Sequence, residues 1–222
     1  MILLQARTSS TRLPAKILLP VAGLPVVVLA AQRAANTGRE VQVLTSTKPS
    51  DDLLVSILDD YKVSYFRGEL ANVLQRFVDA TSDLDDDAIV VRLTADNLFP
   101  DGWFIDRMIE VFQDGQLDYL SSVEPECGLP YGMSVEITRA GLLREALASS
   151  SAPEELEHVT PFIHRRYGVQ NFLGLAHLNL SNYRCTIDTL EDYLKVAKIF
   201  RLSTDPVLIP SQRLIEQLVE AS

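Results

Sequence analysis

The residues best suited to chemistry stand near the start of the chain. Gln5-Ala6-Arg7-Thr8-Ser9-Ser10-Thr11-Arg12-Leu13-Pro14-Ala15-Lys16 follows a short apolar run, Met1 to Leu4, and sets Arg7, Arg12 and Lys16 among hydroxyl side chains. The chain has 30 acidic residues, yet none precedes Glu40. Acids scattered evenly would leave so long a gap roughly a few times in a thousand. An acidic protein that keeps its first strand and loop purely cationic has prepared a place for an anion, and a phosphate chain is the natural candidate. Arginine forks and exposed backbone N–H groups together can hold a triphosphate. The loop is neither the Gly-x-x-x-x-Gly-Lys phosphate loop nor the Gly-x-Gly-x-x-Gly dinucleotide turn. Its plainer reading is a solvated surface loop with incidental arginines; the acid-free context favours the anion site.

Two carboxylates complement these cations. Asp96 follows an apolar run, Ala88 to Leu93. It could bind Mg²⁺, a hard ion that takes one or two carboxylates plus phosphates. Alone, Asp96 or Asn97 reads more simply as an Asx turn. Asp188 closes the run Arg184 to Ile187, where Thr189 and Asp192 resemble a capping box. Alone, it reads as a cap; as a pair, Asp96 and Asp188 suit one shared metal. Asp85-Asp86-Asp87 resembles the acidic metal motif of many glycosyltransferases, but it precedes its strand and reads as a solvated turn. His158 and His164 are too few for zinc. His158 is either a polar substrate contact or a satisfied helix residue. No Ser or Cys sits in a nucleophile elbow. Cys127 and Cys185 belong to no CxxC pattern and read as reduced, packed thiols of a cytoplasmic protein.

Something must bring these groups together, and the hydropathy pattern predicts what does. Strands are expected at Met1 to Gln5, Glu40 to Leu44, Val63 to Phe66, Ala88 to Leu93, Asp118 to Ser121, Val135 to Thr138, Asn171 to Leu178 and Arg184 to Ile187. Helices are expected at Val26 to Ala35, stopped by Gly38, at Asp51 to Tyr61 with Ser50 as cap, and at Leu70 to Ser82. Further helices are expected at Phe104 to Phe112, Leu190 to Arg201 and from Ser211 onward. This alternation implies an α/β protein with a mostly parallel sheet and helices on both faces. Ligands of such sheets bind beyond the carboxyl ends of strands. The cationic loop, Thr94 to Asn97, and Asp188-Thr189 all follow predicted strands. Val123 to Met133, with Pro125, Gly128, Pro130 and Gly132, reads as an excursion from the sheet, a lid or a dimer arm.

The net charge is −10, which argues against nucleic acid and anionic membrane as partners. No apolar run reaches the roughly 20 residues of a membrane span, and the start lacks the charged n-region of a signal peptide.

With these residues in view, the loop motif resembles the N-terminal signature of the cytidylyltransferases that make CMP-activated acidic sugars. These include the CMP-KDO and CMP-acylneuraminate synthetases, and the branch called spore coat polysaccharide biosynthesis protein F is most similar. Arg67-Gly68 with Asn72-Val73-Leu74-x-Arg76 resembles the family's Arg-Gly…Asp-Val-Leu-x-Arg. Val91-Arg92-Leu93-Thr94-Ala95-Asp96 resembles its Val-Arg-Ile-Thr-Gly-Asp, and Tyr131-Gly132-Met133-Ser134-Val135-Glu136 its Gly-Leu-Asp-Val-Glu. Glu157-His158-Val159-Thr160-Pro161 and Ile187-Asp188-Thr189-x-Glu191-Asp192 complete the order. The chain departs at Ala95 for Gly, at Asn97-Leu98 for Cys-Pro and at Ser134 for Asp.

The resemblance implies a single nucleotidyltransferase domain over residues 1–222. Its fold would be three-layer and Rossmann-like, of the GT-A nucleotide-diphospho-sugar transferase type, with an excursion for a lid or dimerisation around 120–180. Arg7, Arg12 and Lys16 would bind the triphosphate of CTP, with Ala6 and Arg7 offering backbone contacts to the base. Ser10, Arg67, Asn72, Arg76 and Thr94 would belong to the nucleotide pocket. Asp96 and Asp188 would hold Mg²⁺, and Glu136 and His158 would face the acceptor. The implied reaction joins CMP to an acidic sugar for surface polysaccharide, in a cytoplasmic homodimer. The alternatives left open are another base, a non-sugar acceptor, or a nucleotide-binding homologue without turnover.

Overall fold

A computed structural model describes residues 1–123, 125–201 and 203–221. In chain order the strands are β1 (Ile2–Gln5), β2 (Pro20–Val21), β3 (Leu24–Pro25), β4 (Val41–Ser46), β5 (Tyr65–Gly68), β6 (Ile89–Thr94), β7 (Leu120–Ser121), β8 (Glu136–Arg139) and β9 (Gln170–Asn171). The helices are α1 (Val26–Ala34), α2 (Asp52–Asp60), α3 (Val73–Ala80), α4 (Gly102–Asp114), α5 (Ala140–Ser149), α6 (Pro153–His158), α7 (Pro161–Tyr167), α8 (Leu190–Phe200) and α9 (Ser211–Glu220). Among the described residues, seven strands form one sheet in the order β5-β4-β1-β6-β8-β7-β9, and β2 and β3 make a separate hairpin. β5, β4, β1 and β6 run parallel, and β8 is antiparallel to both its neighbours. This is the mixed, mostly parallel sheet that the alternation implies.

β1 is apolar throughout because it is covered on both faces. Ile2 and Leu4 enter one core with α1, α4, α8 and α9, while Leu3 enters the other with α3 and α5. That alternation follows from the strand's two-residue period. It also explains α1, whose β-branched Val26, Val27 and Val28 disfavour a helix weakly but are wholly buried against the sheet. Packing outweighs a propensity worth only tenths of a kcal/mol per residue.

Arg33 of α1 is buried and donates to five carbonyls: Leu98, Phe99, Pro206, Val207 and Ile209. Burial lowers its pKa to about 10, against the opposing pull of Asp101 and Asp205. It therefore remains charged at neutral pH, and it pins the chain just beyond Asp96.

Several expected elements differ. Arg184 to Ile187 is not a strand of the sheet. It makes single bridges, Tyr131 with Arg184 and Asn97 with Thr186, and Ile187 N–H donates to Asp96 C=O at 2.9 Å. The segment therefore crosses the exit of β6 and delivers Asp188 beside Asp96. The expected strand Asn171 to Leu178 pairs only at Gln170–Asn171, because its partner β7 is two residues long. Beyond it the chain turns into a 3₁₀ segment, Ala176–Leu178. The second helix starts at Asp52, with no side-chain cap from Ser50. α5, α6 and α7 are helices the pattern leaves unassigned. In the expected excursion, Cys127, Leu129 and Met133 join the main core, and Glu124 lies outside the described residues. Cys127 and Cys185 are buried without a disulfide, and burial raises the Cys127 thiol to about 11, so it stays protonated.

Candidate active site

The cationic loop leaves the carboxyl end of β1, and Asp96 leaves that of the neighbouring β6. Ala15 holds a left-handed backbone, φ 56°, immediately before a 3₁₀ turn, Lys16–Leu18. The turn buries Lys16 and sends its ammonium between two carboxylates. Lys16 Nζ donates to Asp96 Oδ2 at 2.6 Å and to Asp188 Oδ1 at 2.8 Å. Arg12 reaches Asp188 Oδ1 at 2.9 Å, and Arg184 pairs with Asp188 Oδ2 and with Asp192. Burial would raise the Asp188 pKa, but Lys16, then Arg184 and Arg12, outweigh it and hold the carboxyl below its ordinary value. Asp192 also closes the capping box with Thr189 at the head of α8, so Asp188 itself is not the cap.

One ammonium touching both carboxylates shows that they converge on a point a single cation can occupy. Among the described residues, no group of three or more His, Cys, Asp or Glu could hold a metal by protein ligands alone. Two carboxylates completed by phosphate and water oxygens are the donor set Mg²⁺ prefers, so Asp96 and Asp188 fit it.

Two cavities meet at these carboxylates. The smaller, of about 260 Å³, is lined by the loop, including Ala6, Arg7, Ser10, Arg12 and Lys16. The larger, of about 700 Å³, lies under the excursion and is lined by residues such as Tyr119, Tyr131, Ser134, Glu136, His158 and Asn171. Arg12, Thr94, Asp96 and Asp188 line both. A ligand bound across that junction has one end among cations and the other beneath a polar, partly aromatic wall.

Glu136 organises the wall of the larger cavity. The β6–β8 register sets it opposite Arg92, with which it pairs. Glu136 Oε1 accepts from Tyr119 at 2.6 Å and from Thr160 at 2.7 Å. His164 Nε2 lies 3.7 Å away, its ring against Tyr119. Burial would raise the Glu136 pKa, but Arg92, then His164, Tyr119 and Thr160, overcome it and drive the carboxyl well below its ordinary range. Burial and the same carboxylate push the Tyr119 hydroxyl the other way, far above its usual value. Tyr119 thus stays a neutral donor.

The structure brings Ala6, Arg7, Ser10, Arg12, Lys16, Thr94, Asp96, Asp188, Glu136 and His158 to this pair of cavities. Arg67, Asn72 and Arg76 line neither. Arg67 donates to Ser46 C=O at 2.9 Å and pairs with Asp52 at 2.7 Å. Asn72 caps α3, accepting from Gln75 N–H at 2.8 Å. Arg76 is buried and donates to the carbonyls of Glu69, Leu70 and Leu44. Its pKa is lowered by burial, with Asp51 opposing and Arg7 assisting, so it stands within electrostatic reach of the loop.

The pattern alone misses Arg92, Tyr119, Thr160 and His164 around Glu136, Arg184 on Asp188, and Thr8 with Asp51 beneath the loop. Two had a readable signal. Arg92 interrupts an apolar strand, and Arg184, Asp188 and Asp192 recur at four-residue spacing.

The cytidylyltransferase family matches residues 1–219. Spore coat polysaccharide biosynthesis protein SpsF of Bacillus subtilis is 30% identical over 226 residues, 97% of this chain and 92% of that protein. A cytidylyltransferase structure from Leptospira borgpetersenii superposes with a TM-score of 0.89 at 30% identity, covering 99% of this chain and 93% of that one. The structure of CMP:2-keto-3-deoxy-manno-octonic acid synthetase complexed with CTP gives 0.66 at 17% identity, covering 90% and 98%, a likeness of fold. With the family matched along almost its whole length, this chain belongs to the cytidylyltransferases and is a nucleotidyltransferase.

Proposed function

We propose that the chain transfers CMP from CTP to a hydroxyl of an acidic sugar, releasing pyrophosphate, and that it requires Mg²⁺. The observation that carries this reading is the junction itself: Lys16, Asp96 and Asp188 meet where a cation-lined cavity opens into a larger one. CTP would lie in the smaller cavity, its phosphates among Arg7, Arg12 and Lys16. CTP is the nucleotide named with the structurally similar octonic acid synthetase. The acceptor would enter the larger cavity past His158, whose exposed imidazole can hydrogen-bond a sugar hydroxyl or carboxylate. Tyr119, Thr160 and Arg92 shape the wall, and Glu136 locks them in place.

Phosphoryl transfer of this kind asks little covalent work of a protein; positioning and charge neutralisation carry it. Asp96 and Asp188 would hold the metal, which when bound polarises the α-phosphate and offsets charge on the leaving group. Lys16 and Arg12 stabilise the negative charge that grows on pyrophosphate as its bond to the α-phosphorus breaks. A local cationic site is needed because a net charge of −10 repels both substrates. The similarity to SpsF supports a place in surface polysaccharide synthesis. Among the described residues no helix is long and apolar enough to cross a membrane. The reading includes a cytoplasmic location, suited to a CTP-dependent reaction, and a homodimer, which sedimentation velocity would detect.

The test is pyrophosphate release from CTP and Mg²⁺ across a panel of sugar acids, with Lys16→Ala beside the wild type. Release with at least one acceptor is expected, and Lys16→Ala should lower it about a hundredfold while raising the KM for CTP. CTP binding with no release across the whole panel would favour a nucleotide-binding homologue without turnover.

A further inference from the structure

The loop cations sit on a support that lies beneath the site. Thr8 stands between Arg7 and Arg12, and its backbone ties the loop together. Its carbonyl accepts from Ser10 N–H at 2.9 Å and from Ala15 N–H at 3.0 Å. That second bond closes the loop around Arg12 and sets Ala15 just ahead of Lys16. Thr8 in turn rests on Asp51, which follows β4 and is 1% exposed.

The two carboxylate oxygens of Asp51 face different partners. Oδ1 accepts from Thr8 N–H at 2.9 Å and lies 2.6 Å from Thr8 Oγ1. That hydroxyl is also 2.8 Å from Ser50 C=O and has one proton to share between the two acceptors. Oδ2 accepts from Thr45 Oγ1 at 3.2 Å, from Ser46 N–H at 3.3 Å and from Ser46 Oγ. Burial would raise the Asp51 pKa, but the Ser46, Thr8 and Thr45 donors outweigh it, so the group is ionised in the fold. Among the described residues its bonds go to neutral N–H and O–H groups and none to Arg7, Arg12 or Lys16. Asp51 thus shapes the loop through Thr8 without pairing with its cations.

We propose that Asp51, acting through Thr8, is a positioning residue that holds the cationic loop in the shape that grips the outer phosphates of the nucleotide. The proposal rests on the loop being the triphosphate site. One carboxylate clamps the end of β4 with one oxygen and the loop with the other. The loop is therefore built onto the carboxyl end of β4, inside the sheet, instead of being ordered by ligand, and the cost of ordering it does not fall on binding.

The test measures CTP and CMP affinity with Mg²⁺ by calorimetry for wild type, Thr8→Val, Thr8→Ser and Asp51→Asn. Thr8→Val keeps size and the N–H bond and loses the hydroxyl. It should weaken CTP about tenfold and CMP by no more than about twofold, with little change in the melting temperature of the nucleotide-free protein. Thr8→Ser restores the hydroxyl and should bind CTP as wild type does. Asp51→Asn should weaken CTP further, and if it fails to fold the threonine pair still decides. CTP affinity of Thr8→Val within twofold of wild type, or an equal loss for CTP and CMP, overturns the positioning role alone. A wild type that binds no nucleoside triphosphate overturns the triphosphate reading, and this inference with it.

Discussion

Asp188→Asn should reduce turnover by at least about a thousandfold and leave the fold in place. The substitution keeps the shape of the side chain and removes its charge. Three cations converge on Asp188 in the wild type, Lys16, Arg12 and Arg184. Two of them retain another carboxylate in the variant, Lys16 with Asp96 and Arg184 with Asp192. The sheet, the capping box of α8 and both cores are untouched, so circular dichroism and the melting transition should resemble the wild type. What is lost is half of the carboxylate pair that would hold the metal against the α-phosphate. Pyrophosphate release measured at saturating CTP, Mg²⁺ and acceptor checks this. Turnover close to wild type would remove Asp188 from the metal site.

Glu136→Gln should cost about 3 kcal/mol of stability, the scale expected when one partner of a buried ion pair is removed. The amide keeps one acceptor oxygen for Tyr119 and Thr160 but leaves Arg92 facing a neutral group inside the protein. The pH dependence distinguishes this from a loss of shape. The Glu136 carboxyl lies below its ordinary range in the fold. A carboxyl depressed on folding stabilises the protein above its unfolded pKa, about 4.3. That stability disappears as pH falls toward the folded value. The gap between wild type and Glu136→Gln in urea unfolding should therefore be full at pH 7 and shrink below about pH 4. A constant gap from pH 7 to pH 3 would mean that packing, not charge, sets the cost. Because the same network builds the wall of the larger cavity, the variant should also raise the acceptor KM more than the CTP KM.

Much of this was legible in the residues. The absence of acids before Glu40 marks the loop, and the loop borders the smaller cavity. Asp96 was placed by the rule that chemistry gathers at strand ends, because β6 is a strong apolar run. The same rule points to Asp188, but there it holds only in part. Its segment is not a strand of the sheet but a bridge laid across the exit of β6, and hydropathy cannot separate the two over four residues. The network around Glu136 was not legible beyond Glu136 itself. Tyr119 immediately precedes β7, Thr160 stands at the head of α7 and His164 lies within it, and they meet Glu136 only through the sheet register and the packing of α7. The hydropathy pattern makes Asp51 the first residue of a helix; only tertiary structure shows it turned inward, to Thr8. α5 to α7 went unassigned because their segment mixes short apolar and charged stretches, interrupted by Pro153, Pro161 and Gly168, with no long periodic face.

The most direct test of the central claim is a crystal structure of the protein with CTP and Mg²⁺. The triphosphate is expected in the smaller cavity, in contact with Arg12 and Lys16, and the metal bound to Asp96 and Asp188, with the larger cavity left open for the acceptor. A nucleotide seated elsewhere, or a metal held without either carboxylate, would contradict it.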